Sequence, residues 1–511
     1  MSIGVPPGER VPRWARDLRF PGRNPSHHGR PIAVSRHCGV SEILGDKRGE
    51  ARVTPPPRTG LLARAAELVA RSGVSPTMLK GAMWSIGGNA TGLAASFVTQ
   101  VILARSLEAM RYGVYSYLLA WVNVAVLVGK LEFDNVAVRF VGAYDGQRRD
   151  GLLRGFLQYG WRVVGGTATA VALAAGLVAW LLRRHLHTGI EGGIWPAGVL
   201  VPLSALLLFS SSALQGLRRV PQSQLPQLVL RPMLFGLAIL LAGSGIGLGI
   251  GVGAAVALNA AATAVSLGLS LYLLGRAVPT SAIGAAPAFD TAQWMRAVRG
   301  FIVISAAQLI LSPQADILVV GTLLGPHDAG LYSVASQVAS LVGMGAAAVI
   351  FVVLPVVSGL HAQGRRVELQ HLVVRTVQAC GAVSVPIFVL LFIAGHVPLH
   401  ADGAAFVDAY PILVVLSAVS VVAAMFGALS GYLLTMTGHE WEASRVIVGA
   451  ALLNLALTFV LTPTLGAVGA ALATAAATLT RTELLRRRVR RYLGVAVLPY
   501  FPAEPRGAEG A

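Results

Sequence analysis

The sequence predicts an all-α integral membrane protein with about twelve transmembrane helices in two six-helix bundles. Three observations predict it: repeated apolar runs of spanning length, a basic excess confined to one side of them, and a repeat between the two halves of the chain. The 511 residues are 55% hydrophobic and only 13% charged, and the mean hydropathy is +0.66. Soluble chains carry about 25% charged residues, so there is too little charge here to coat a water-soluble enzyme. Two cysteines, Cys38 and Cys380, cannot build a disulfide framework or a zinc site.

A bilayer-crossing helix needs about 20 mainly apolar residues. Such runs fall at about 81–104, 113–131, 155–182, 194–217, 225–247, 250–275, 300–323, 331–357, 373–396, 408–435, 444–462 and 465–482. The Gly-rich stretch 241–253 reads as a tight turn between two helices. Residues 1–79 are rich in Pro, Gly and Arg, with no spanning run and no signal-peptide pattern. They read as a disordered, basic cytoplasmic tail, in which 61–71 has the pattern of a short amphipathic helix suited to anionic lipid. The chain then divides into a first bundle at 80–275, a cytoplasmic linker at 276–299, a second bundle at 300–485 and a basic cytoplasmic tail at 486–511.

The net charge is +18, from 41 Lys and Arg against 23 Asp and Glu. With a cytoplasmic N-terminus, 35 of the basic residues fall in the tails and inner loops, and Arg105, Arg111, Arg183 and Arg184 are the 4 in outer loops. The positive-inside rule places both termini in the cytoplasm and favours an even number of crossings. The excess is therefore a topology signal and a grip on anionic inner-leaflet lipid, not a nucleic-acid footprint.

The repeat lies after the first and seventh runs. Leu107, Gly113, Tyr115 and Ser116 match Leu324, Gly330, Tyr332 and Ser333 at a constant offset of 217. Val252–Ala255 matches Val468–Ala471 at 216. Two six-helix halves of the same direction pack about a pseudo-two-fold axis along the membrane normal, with a substrate path between them. The competing reading is that Gly-x-Tyr marks only a recurrent turn into a helix.

Polar side chains at bilayer depth face a bundle interior or a wet cavity. Ser85, Asn89, Ser96 and Gln100 recur at helical spacing in the first run, and Ser305, Gln308, Ser312 and Asp316 in the seventh. Both stripes are expected to line one central cavity; the alternative is interhelical hydrogen bonding. Asp316, just after the helix-bending Pro313, is the one acidic residue within a run. It is a candidate for proton or Na⁺ coupling, or one half of a fixed ion pair with an Arg. Arg231 and Arg162 are the basic residues within runs and away from their ends. Arg231, with Arg105 and Arg139, is a candidate for phosphate oxygens, which a guanidinium binds bidentately. Snorkelling to a headgroup is the alternative, and it suits Arg105 and Arg162 best.

No Walker A loop, HExxH or GxSxG is present, and the eleven His show no ligand spacing. The outer cluster Asp402, Asp408, His396 and His400 reads as an ordinary solvated loop. An enzyme is not expected, nor is a metal or organic cofactor.

Lys80-Gly-Ala-Met-Trp84, Ile102-Leu-Ala-Arg105-Ser-Leu107 and Tyr112-Gly113-x-Tyr115 resemble the opening of polysaccharide-biosynthesis membrane proteins. The likeness continues through Asp316-Ile-Leu-Val-Val-Gly321, Ala329-Gly330-Leu-Tyr332 and Gly466-x-x-Gly469-Ala-Ala471. These motifs resemble the Wzx-type oligosaccharide flippases of the multidrug/oligosaccharidyl-lipid/polysaccharide (MOP) exporter superfamily, over about residues 80–482. The resemblance implies a MATE-like, V-shaped pair of six-helix bundles working by alternating access without ATP. It also implies a polyprenyl-pyrophosphate-linked oligosaccharide, moved from the inner to the outer leaflet of the cell inner membrane. Candidate substrate contacts are then Arg231, Arg105, Arg139, Asn89, Gln100 and Gln308, with Asp316 for the ion. Partners would be the lipid-linked oligosaccharide, membrane lipids and other polysaccharide-assembly proteins. The basic tail departs from the family, and the likeness begins near Met78, which leaves that methionine as an alternative first residue. Two other readings stay open: a cation-coupled drug or small-molecule exporter of the same superfamily, and a membrane glycan polymerase or ligase.

Overall fold

A computed structural model describes residues 76–181, 191–245, 251–363 and 365–500. The tail before Pro76, including 61–71, lies outside the described residues, as do Arg183, Arg184 and the segment after 500.

The described chain is helical throughout. In order, the helices are α1 (Pro76–Lys130), α2 (Phe133–Gly146), α3 (Asp150–Leu181), α4 (Glu191–Gly216), α5 (Val220–Gln224), α6 (Arg231–Gly245), α7 (Val252–Ala277) and α8 (Thr280–Gly284). There follow α9 (Thr291–Ile310), α10 (Pro313–Leu323), α11 (Pro326–Ala362), α12 (Arg366–Ala394), α13 (His396–Asp402), α14 (Tyr410–Val422), α15 (Ala428–Met436) and α16 (Glu440–Leu493). No strand occurs among the described residues. α3 illustrates why these helices suit a bilayer. Leu153, Phe156, Gly160, Val164, Ala168 and Ala172 recur every three or four residues and are buried. The opposite face exposes Leu173, Leu177 and Leu181, equally apolar. A helix that is apolar on both faces has one face for its neighbours and one for lipid.

Among the described residues nine helices are long and apolar enough to cross a membrane, or ten if α9 and α10 form one span bent by 55°. The expected number was twelve. The difference arises because the first two and last two runs continue as single helices, each interrupted by one non-helical residue. In α1 this is Glu108 (φ 62°, ψ 164°), and in α16 it is Gly466 (φ 64°, ψ −154°). The stretches Thr91–Lys130 and Glu440–Leu493 have 40 and 54 residues. At 1.5 Å per residue they would be about 60 and 80 Å long if straight, against a hydrocarbon core of about 30 Å. At Gly466 the chain folds back. A Cβ added to Gly469 would strike the carbonyl oxygen of Leu461, eight residues earlier; a straight helix would hold those residues about 12 Å apart. The 55° bend between α9 and α10 lies at Ser312, whose backbone is extended, immediately before Pro313. The Gly-rich stretch separates α6, ending at Gly245, from α7, starting at Val252.

The residues of the repeat meet each other. A Cβ added to Gly113 would strike the carbonyl oxygen of Pro326. One added to Gly330 would come within 2.8 Å of Gly113 Cα and 3.3 Å of the Ala109 carbonyl oxygen. Ala109 and Pro326, like Gly113 and Gly330, are 217 positions apart, so each residue touches its counterpart's neighbour. That reciprocity is the mark of a two-fold contact, and only glycine allows two backbones so close.

Candidate functional site

Two polar clusters are built around the repeat-related tyrosines. Tyr115 stands on the second arm of α1. Its hydroxyl accepts a hydrogen bond from Asn259 Nδ2 of α7 (2.9 Å), and Asn259 Oδ1 accepts one from Arg231 Nη2 (3.2 Å). Arg231 opens α6 directly after a wide turn at Leu225–Leu230, in which hydrogen bonds reach one residue further than in an α-helix. Such turns occur where a helix is re-aimed at a functional site. The carbonyl of Pro232 accepts from Thr99 Oγ1 (2.8 Å), which compensates for local loss of regular helical bonding.

Tyr332 stands at the equivalent place on α11. Its hydroxyl donates to Asp316 Oδ2 (2.7 Å). Thr474 Oγ1 of α16 donates to the same oxygen (2.7 Å), and Asn454 Nδ2 to Asp316 Oδ1 (3.2 Å). Asp316 is 1% exposed and lies in the first turn of α10, where the helix dipole favours negative charge. The alternative of a fixed ion pair with Arg is not what the structure has: among the described residues Asp316 is held by hydroxyls and an amide. The duplicated halves therefore carry the same tyrosine with opposite charges, Arg231 in one and Asp316 in the other. Chemically, the Asp316 cluster can hold a proton or gather oxygen atoms around a hard cation.

A cavity of about 310 Å³ lies between the halves. Arg231, Asn259 and Gln100 come to it from the first half, and Gln314, Ser333 and Gln337 from the second. Gln100 is buried here, and neither of its amide atoms has a hydrogen-bond partner among the described residues. An unsatisfied buried amide is costly, so it marks a place for water or a ligand. A smaller chamber of about 180 Å³ adjoins this one through Asn123, Gln227 and Arg231.

The remaining sequence-derived candidates are more scattered. Ser96 lines the same cavity as Gln100. Gln308 borders a different cavity, of about 620 Å³, so the two polar stripes do not line a single chamber. The helix carries Asn89, but its side chain is outside the described residues. Arg139 is on the exposed face of α2, its guanidinium 5.6 Å from the Phe140 ring, away from the cavities just described. Arg105 lies at the turn before Glu108 and donates through Nε to the carbonyl of Ala401. Asn259, Asn454, Thr474 and the two tyrosines were not singled out from sequence as site residues. The tyrosines were visible only as turn markers of the repeat. The asparagines stood alone in apolar runs and could have been weighed as costly.

Of the outer cluster, His396, His400 and Asp408 are exposed as in a solvated loop, but Asp402 is not. Asp402 ends α13, between two spanning segments, and is 0% exposed, with neither carboxylate oxygen hydrogen bonded among the described residues. Burial pushes its pKa up to about 7, with Arg105 pulling the other way. Phe406, just beyond, packs edge-on against Tyr112 of the first half at 5.5 Å. A released Asp402 would titrate near the ordinary 3.9. Seating the loop is thus fully favoured below about pH 4. It weakens by at most about 1.4 kcal/mol per unit as pH rises to about 7, and is constant above. Hydrogen exchange of residues 396–409, corrected for intrinsic rates, should be faster at pH 8 than at pH 5. In Asp402→Asn that difference should vanish.

With this geometry in hand, the fold is that of the transporters of the MOP superfamily. A solved MATE multidrug transporter, in an inward-facing conformation, superposes with a TM-score of 0.59 at 14% identity, covering 79% of this chain and 95% of that one. The lipid II flippase MurJ, in an inward closed conformation, gives 0.60 at 13% identity, covering 80% and 87%. A MOP superfamily transporter from Pyrococcus furiosus, described as having a binding pocket of reverse polarity, gives 0.54 at 14% identity, covering 81% and 96%. Curated proteins give no significant match. The family model for polysaccharide biosynthesis proteins matches residues 78–361, more than half of the sequence, and the chain belongs to that family.

Proposed function

We propose that this protein flips a polyprenyl-pyrophosphate-linked oligosaccharide from the inner to the outer leaflet of the cell inner membrane, for surface polysaccharide assembly. The observation that carries this reading is the cavity between the halves, with Arg231 as its charged wall and the unpartnered Gln100 amide beside it. Guanidinium suits phosphate oxygens, and amides and hydroxyls suit sugar. The chain would cross twelve times, with breaks at Glu108 and Gly466 as two of its turns and both termini in the cytoplasm. The Asp316 cluster would bind and release the coupling proton or Na⁺. Arg231 and Arg481 are the charged residues lining the cavities described, with no carboxylate among them. That balance favours an anionic cargo over the cationic compounds of drug exporters.

Deleting the gene in its host should abolish surface polysaccharide and leave lipid-linked precursor labelled only in the inner leaflet. Arg231→Ala should fail to restore export while reaching the membrane at normal level. Precursor accumulating in the outer leaflet would instead indicate a polymerase or ligase. Hypersensitivity to cationic drugs with intact polysaccharide would indicate the exporter.

A further inference from the structure

The cavity of about 620 Å³ lies within the second half, bordered by α9, α11, α14–α15 and both arms of α16. It contains Arg481, at the end of the last apolar run. Among the described residues Arg481 forms no ion pair and no hydrogen bond. The carboxylate nearest in sequence is engaged elsewhere: Glu483 pairs with Arg486 (3.2 Å) and Arg487 (2.8 Å). Glu442, on the other arm of α16, pairs with Arg445 and Arg488. A guanidinium keeps its charge at any physiological pH, so this cavity holds a fixed positive charge with no counter-charge in its wall.

The rest of the wall is suited to hydroxylated ligands. Ser340, Ser420 and Thr435 each donate to a carbonyl of their own helix, at Gln337, Leu416 and Gly431. Their oxygens keep lone pairs that can accept. The Gln308 amide and the Tyr432 phenol are exposed and without a hydrogen bond among the described residues. Donors, acceptors, one aromatic face and one guanidinium share a chamber of the size that binds small ligands. A single guanidinium, with no second cation beside it, matches a singly charged planar carboxylate through a bidentate pair.

We infer that Arg481 marks a second anion subsite, separate from the one at Arg231, which takes an acidic sugar, a uronate carboxylate, in the glycan of the cargo. This rests on the reading of the chain as a glycolipid flippase. The full-length protein in lipid nanodiscs would be titrated with trigalacturonate, with a neutral trisaccharide and with farnesyl pyrophosphate. Trigalacturonate should bind more tightly than the neutral trisaccharide. Arg481→Gln should weaken trigalacturonate about tenfold or more and leave farnesyl pyrophosphate unchanged, and Arg231→Gln should do the reverse. Gln308→Ala, which keeps every charge, should weaken trigalacturonate by a smaller factor.

The subsite is overturned if Arg481→Gln leaves trigalacturonate unchanged, weakens only farnesyl pyrophosphate, or weakens both probes equally. It is also overturned if trigalacturonate binds no better than the neutral sugar. Binding of farnesyl pyrophosphate through Arg231 without binding of the uronate would sink this inference alone. Binding of neither probe to the wild-type protein would sink the flippase reading as well.

Discussion

Gly113→Val should destabilise the protein by roughly 1–3 kcal/mol, the usual cost of overfilling a packed site, and lower its thermal unfolding midpoint. The cause is local and steric: even a Cβ at this position would run into the Pro326 carbonyl oxygen, so α11 must move away from α1. Gly330→Val should behave alike, because its Cβ would come within 2.8 Å of Gly113 Cα. Residues in contact are not additive, and once either valine has parted the backbones the second has less left to disrupt. The double variant should therefore lose less than the sum of the two. Gly166→Val is the control, since nothing lies within 4 Å of a Cβ there. Thermal unfolding of the four purified variants in one detergent checks this. A harmless Gly113→Val would mean that the two halves do not meet here.

The second large effect is expected at Asp316. Asp316→Ala removes the shared acceptor of Tyr332, Thr474 and Asn454 and leaves their polar groups facing a void. A loss of roughly 1–3 kcal/mol is expected for each buried donor left without a partner. Asp316→Asn keeps the volume and one carbonyl oxygen, and the tyrosine and threonine hydroxyls can rotate to accept from its amide. This variant should fold nearly as well as wild type. If Asp316 carries the coupling ion, Asp316→Asn should fold yet lose the dependence of transport on a Na⁺ or proton gradient in proteoliposomes. Gradient-dependent transport at wild-type rate in the asparagine variant would reduce Asp316 to a structural role.

Much of the fold was legible because a bilayer imposes a strong local rule: each crossing must satisfy its own backbone over a fixed length. That rule reveals spans such as 155–182 from composition alone. The repeat was legible at Gly113 and Gly330 because a close backbone approach admits one residue type. The partners of Asp316 were not, because Asn454 and Thr474 lie 138 and 158 positions away and sequence spacing carries no such distance. Arg481 was not singled out, because at the very end of the run 465–482 the sequence does not say whether a charge faces a headgroup or a cavity. Asp402 was taken for a solvated residue because acids in loops usually are; its burial comes from Phe406 and the first half closing over it. Arg105 and Arg139 satisfied the same chemical argument as Arg231. Its place within a run set Arg231 apart; what the sequence did not show is the wide turn at Leu225–Leu230 that leads into it.

The opposite signs of the two tyrosine clusters have an electrical consequence. The charges of Arg231 and of an ion-free Asp316 cancel as a pair, so under the proposed function a pyrophosphate headgroup would be the main charge displaced between the leaflets. A pyrophosphate moving outward across an inside-negative potential goes with the field, which contributes about 2.3 kcal/mol per elementary charge for each 100 mV. The coupling ion at Asp316, entering from outside, would run down the same gradient in the opposite direction. Both movements would carry current of the same sign, and the membrane voltage would drive the cycle twice in each turn.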